Sequence, residues 1–175
     1  MIRFMDASTP DVGAVTTPHR YLFDFARPVR DEAYIQLLEL AGRYCTSALV
    51  VCRSGLNQEG LECLDRLRPF TIESTERSEW PGTRLWKHTA TVHFFVLNVE
   101  SIKLLKSSAH AIGDWYYPNL PEDPCFLRAD DTPWFQSTVH EDWAALRLSL
   151  EEAEDLRISH QALFELLAPP RDPGI

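Results

Sequence analysis

Glycine is scarce in this chain, 7 of 175 residues. None falls in the spacings that cradle a phosphate, bind a dinucleotide or build a nucleophile elbow; Gly55 and Gly60 flank no Lys-Ser or Lys-Thr pair. Basic residues are outnumbered, 17 against 26 acidic ones, and they are scattered. A formal charge of -9 repels a nucleic-acid backbone or an anionic membrane, so neither is an expected partner, whereas a basic protein is. No apolar run approaches the roughly 20 residues that a bilayer-spanning helix needs. The first 17 residues lack the cationic stretch and apolar core of a secretion signal, so a cytoplasmic location is expected. The four cysteines, Cys45, Cys52, Cys63 and Cys125, form no CxxC pair, and three lie in or beside apolar runs. Buried reduced thiols are expected, with no cofactor or metal centre.

What is present is ordinary globular material, 45% hydrophobic and 25% charged, without internal repeats or a composition break. Residues 1–19 read as a flexible arm, 20–168 as a single α/β (α+β) domain, and 169–175 as a tail. Alternation at Tyr21, Phe23 and Phe25 predicts a first strand, stopped at Arg27-Pro28. Tyr34, Leu37, Leu38, Ala41 and Tyr44 recur at helical spacing, with Asp31 and Glu32 at the positive end of the dipole. The valine-rich run 48–52 predicts a strand covered on both faces.

Asn57 caps a second predicted helix that Pro69 ends, and 70–76 with 85–97 form a hairpin turning at Pro81-Gly82. Asn98 caps a third helix, running to Gly113. Residues 114–124, with three prolines, read as an extended aromatic loop. The stretches 125–128, 134–141 and 143–148 predict two or three antiparallel strands, and Ser149 with Glu152 forms a capping box for a last helix. The expected architecture is a single mixed, largely antiparallel sheet of five to seven strands with three to four helices packed on it, an early βαβ-like portion preceding the later hairpins.

Two kinds of site compete. A metal-dependent or acid–base hydrolase would use His88 or His93 with His140 and Glu141. His88 and His93 are five apart, however, and strand side chains alternate with period two, so both cannot face one site without a bulge. His140-Glu141-Asp142 fits a bend between strands. A binding surface would use the aromatic residues in and beside loops, Trp80, Trp115, Tyr116 and Tyr117, with Arg84 and the nearby acids Glu122, Asp123, Asp130 and Asp131. Tryptophan and tyrosine anchor recognition surfaces, and carboxylates steer a basic partner. With catalytic motifs missing, the balance lies with binding; a subunit of a larger assembly is a further alternative.

The segments 21–25, 45–51, 79–85, 120–123 and 126–141 span most of the chain from Tyr21 to Glu152. Together they resemble a family of small bacterial proteins that carry the automatic label "stage III sporulation protein AH". The sporulation protein proper is a membrane-anchored assembly component, and this sequence departs from it in having no run of anchor length. The resemblance brings no catalytic residues to carry over. By general type, a small, acidic, motif-poor α/β chain is also similar to the immunity proteins that neutralise bacterial toxins, which implies a non-enzymatic cytoplasmic binding function.

Overall fold

The structure is a computed structural model that describes residues 18–53 and 55–172; the expected arm at 1–19 lies almost wholly outside them. Among the described residues nine strands form, β1 (Tyr21–Asp24), β2 (Ser47–Cys52), β3 (Thr71–Arg77), β4 (Glu79–Trp80), β5 (Thr83–Arg84), β6 (Ala90–Val96), β7 (Glu122–Leu127), β8 (Pro133–Thr138) and β9 (Trp143–Leu148). The helices are α1 (Glu32–Tyr44), α2 (Gln58–Leu67), α3 (Val99–Ser108), α4 (Leu150–Ser159) and the single turn α5 (Gln161–Phe164). Seven strands make one sheet in the order β1-β9-β8-β7-β2-β6-β3, and β4 with β5 forms a separate hairpin.

All pairings in the large sheet are antiparallel. Strands an even number of places apart therefore run parallel. The connection β1-α1-β2 is the expected βαβ unit, but β9, β8 and β7 are filed between its strands. Likewise β2-α2-β3 straddles β6, and β6-α3-β7 straddles β2.

Side-chain alternation along β2 shows how the layers divide. Ala48 and Val50 join the main core with Leu37, Leu38 and Leu40 of α1, Leu105 of α3 and Leu156 of α4. Leu49 and Val51 point to the opposite face, where Trp80 of the hairpin packs over them with Val92, Cys125 and Leu127. One face of the sheet thus carries the helices; the other carries the small hairpin, which covers part of it.

Several elements differ in extent from the expected ones. The hairpin formed by β3 and β6 is in register up to Arg77 opposite Ala90, but Pro81-Gly82 turns the inserted β4–β5 pair within it. The third helix stops at Ser108 because Asp114 captures the backbone N–H groups of His110 and Ala111, drawing the chain out to bridge Arg30. Pro124 stands inside β7 rather than in a loop. Asp123 before it adopts φ 52 at a bulge opposite β2, so the ladder bond that a proline cannot supply is not needed there. The stretch after Thr138 is a single tight turn, Val139–Glu141, closed by Asp142 in the left-handed region. Arg171, expected in a tail, pairs with Leu22 by two backbone hydrogen bonds, and its guanidinium holds Asp24. The β1 edge is thereby covered, while β3 ends the sheet with nearly every residue exposed.

Candidate functional site

One buried carboxylate fixes the hairpin to the sheet. Asp123 is fully enclosed; its Oδ2 accepts from the Trp80 indole Nε1 at 3.0 Å and from Arg53 at 2.9 Å, and its Oδ1 accepts from the Val139 backbone N–H at 2.8 Å. The bulge and positive φ at Asp123 aim the side chain at these three donors. Arg53, leaving β2, lies over the Trp80 ring at 5.3 Å, approaches Glu122 at 3.3 Å through Nε, and sits 3.2 Å from His140 Nδ1. Burial raises the Glu122 pKa above its ordinary value, and Arg53 opposes that rise. Cys125 lies under the hairpin, its thiol pushed up to about 12 by burial. Asp123 thus accepts from three separate stretches of chain, Trp80 of β4, Arg53 after β2 and Val139 after β8, which makes the cluster a clamp.

The clamp leaves a cleft of about 380 Å³ between the hairpin and the sheet edge. Leu49, Phe94, Leu127 and Trp80 form its apolar part, and Ile72 of β3 stands beside it 57% exposed. Glu73 and Asp131 supply negative charge to the lining. Arg77 lies over the Phe94 ring at 4.6 Å, a cation–π contact that extends the lining with its methylene stem.

The structure brings Trp80, Glu122, Asp123 and His140 together in the clamp, with Glu141 3.7 Å from His140. Asp131 lines the cleft; Asp130, in the same turn, is held by Thr132, whose hydroxyl and N–H lower its pKa. Arg84 is exposed beside Glu79. Tyr116 and Tyr117 are half exposed, but Trp115 is core, its Nε1 donating to the Tyr34 hydroxyl at 3.0 Å. Trp80, expected as an exposed anchor, is 6% exposed, and Glu122 and Asp123 are likewise too deeply buried to meet a partner directly.

His88 is exposed in the segment before β6, and His93 faces the helix layer, 2.9 Å from Ser74 Oγ. His93 is therefore on the other face of the sheet from His140, which lies at the clamp with Arg53. Among the described residues no group of three or more His, Cys, Asp or Glu is placed to hold a metal ion.

Glu73, one of the acids expected near the aromatic loops, lines the cleft, whereas Arg53, Ile72, Arg77 and Phe94 were not legible as site residues. The available signals were faint: an arginine directly after a fully apolar strand, and a lone isoleucine in an otherwise polar one. No family model, no curated protein and no solved structure matches this chain. Its class is defined by geometry, an α+β domain with one antiparallel sheet, helices on one face and a clamped hairpin on the other.

Proposed function

We propose that this chain is a non-enzymatic cytoplasmic protein-binding domain whose docking surface is the cleft on the hairpin face of the sheet. Its most concrete form is a bacterial immunity protein that neutralises a basic toxin. The observation that carries this reading is the exposure of Ile72 beside an apolar cleft lined by Glu73 and Asp131, on a chain of net charge -9. Apolar area supplies adhesion once the partner is seated, and the carboxylates speed encounter with a basic surface and reject acidic ones. The clamp keeps the cleft preformed, so little ordering is required on binding.

A photo-crosslinking side chain placed at Ile72, or as control at Ile158 on α4, tests this in the source cells. A single basic protein captured from position 72 and not from 158, and lost when Glu73 and Asp131 are both replaced by lysine, is the expected result. That protein should arrest growth when expressed alone and not when co-expressed with this chain. Equal capture at both positions, or capture indifferent to the lysine substitutions, refutes the proposal.

A further inference from the structure

The two edges of the sheet are finished differently. The β1 edge is closed by the segment through Arg171, whereas among the described residues no backbone partner meets the outer side of Glu73–Arg77 in β3. An unpaired edge is a template for another strand, and proteins that avoid such pairing blunt it with proline, lysine or a bulge. Glu73–Arg77 has none of these. It pairs with β6 residue for residue, the irregularity in β3 falling before Glu73.

The five residues have a pattern of their own. Glu73, Thr75 and Arg77 lie opposite Phe94, Val92 and Ala90 and so share the hairpin face; Ser74 and Glu76 lie opposite His93 and Thr91 on the helix face. Thr75 is the midpoint, and charges of opposite sign stand two places to either side of it. Among the described residues neither Glu73 nor Arg77 enters a salt bridge, although Glu79 and Arg84 close by do. Arg77 rests over the Phe94 ring, which leaves its in-plane N–H donors open to a carboxylate. Glu76 is already engaged: its two carboxylate oxygens accept from the Thr89 and Thr91 hydroxyls, which turns it toward β6 and away from the open side.

We infer that β3 is a self-association edge, at which two copies of this chain join antiparallel about a two-fold axis through Thr75. In that register Glu73 of each copy stands opposite Arg77 of the other, the two threonines meet at the centre, and Ser74 opposes Glu76. Symmetry makes each off-axis pair occur twice. Directly opposed β-carbons lie only about 4.5–5.5 Å apart, so both ion pairs lie within reach of their side chains. The axis stands normal to the sheet, which puts both α2 helices on the same side of the joined sheet. Leu61 of α2, which lines a groove of about 320 Å³ with Ser74 and His93 and is 49% exposed, then flanks the seam from each copy.

A second copy is selected because the order of residues in β3 is its own complement, in sign and in position, about one threonine. The net charge of -9 opposes association at long range, but at physiological ionic strength such repulsion is screened beyond about 8 Å, and the seam pairs act inside that distance. Five residues a side fall well short of the roughly 800 Å² per partner of a standard interface, so the dimer is weak and reversible. The inference stands apart from the partner proposed above, with which a second copy competes for Glu73.

Sedimentation equilibrium of the full chain at physiological salt, from about 0.02 to 0.5 mM to suit a weak interface, tests this with charge reversals. The wild type should show a reversible monomer–dimer equilibrium. Glu73→Arg alone or Arg77→Glu alone sets like charges opposite each other at two places and should weaken it at least about tenfold. The double variant carrying both exchanges restores the two pairs and should return to within about threefold of wild type, while Arg84→Glu, off the seam, leaves it unchanged. All three positions are exposed, and circular dichroism checks that each variant is folded. Amide exchange within Glu73–Arg77 should slow as concentration rises. A chain that stays monomeric throughout, a dimer indifferent to the single reversals, or a double variant as weak as the singles overturns the inference. Capture of a partner at Ile72 by a strictly monomeric chain would overturn it while leaving the binding-domain reading intact.

Discussion

Replacing Asp123 by alanine removes the shared acceptor of three donors at once. Arg53 would keep Glu122 as a partial counter-charge, but the Trp80 indole N–H and the Val139 backbone N–H would be left buried and unpaired. Breaking one side of a buried ion pair costs about 3–5 kcal/mol. Alanine is also a poor occupant of φ 52, adding about 1 kcal/mol. The sum of about 4–6 kcal/mol corresponds to a fall in melting temperature of roughly 8–24 °C for a domain of this size. Asparagine tolerates the left-handed backbone and keeps one acceptor oxygen, so Asp123→Asn should cost about half as much, on the order of 2–3 kcal/mol. Urea unfolding of the three proteins, followed by far-ultraviolet circular dichroism, measures both numbers. A loss below about 1 kcal/mol for the alanine variant would show that water replaces the carboxylate freely and that the hairpin is not clamped as described.

Gly82 has φ +87, and a β-carbon there would stand 2.9 Å from the Trp143 ring and 3.0 Å from Thr138 Oγ1; Gly82→Ala should lower stability by about 2 kcal/mol in thermal unfolding. Trp115→Ala should cost about 3–5 kcal/mol and Tyr116→Ala under about 0.5, a contrast that calorimetry reads directly. Burial raises the pKa of Glu122 from its ordinary 4.5, so the folded state binds that proton more tightly than the unfolded one. Its stabilising contribution is present below pH 4.5 and is lost as pH rises through the folded value. Glu122→Gln should therefore flatten the decline in urea midpoint between pH 4.5 and 7. The thiols of Cys45, Cys52 and Cys125 are each pushed up to about 12, so a disulfide exchange reagent at pH 8 should label them slowly in the folded protein and rapidly after unfolding.

The fold was largely legible because its elements announce themselves locally. The stripe from Tyr34 to Tyr44, the caps at Asn57, Asn98 and Ser149, and the apolar run of β2 each encode one element by spacing alone. What sequence reasoning missed depends on distant residues meeting. Helix α3 ends early because Asp114 competes for backbone N–H groups beyond its C-terminus, and Pro124 enters a strand because a bulge relieves it. The site was legible in part. Asp131 stood out as a turn acid, whereas Trp80 and Trp115 both carried the signal of exposed loop tryptophans and are both buried, Trp80 under its own hairpin and Trp115 in the main core. Arg53, Ile72 and Phe94 acquire their positions only when β2, β3 and β6 are laid side by side, and no local pattern encodes that order.

The placement of β1 has a consequence in time. Roughly 120 residues separate it from β9, and synthesis at about 5–20 residues per second puts some 6–24 s between their appearances. Tyr21 and Phe23 must wait that long for a strand to pair with, whereas β2, β3 and β6 all emerge between residues 47 and 96 and can pair as soon as β6 appears. The half of the sheet that bears the cleft is thus the older half of the nascent molecule. The far edge is its last act, completed when Arg171, 147 residues beyond Asp24, folds back to seal it.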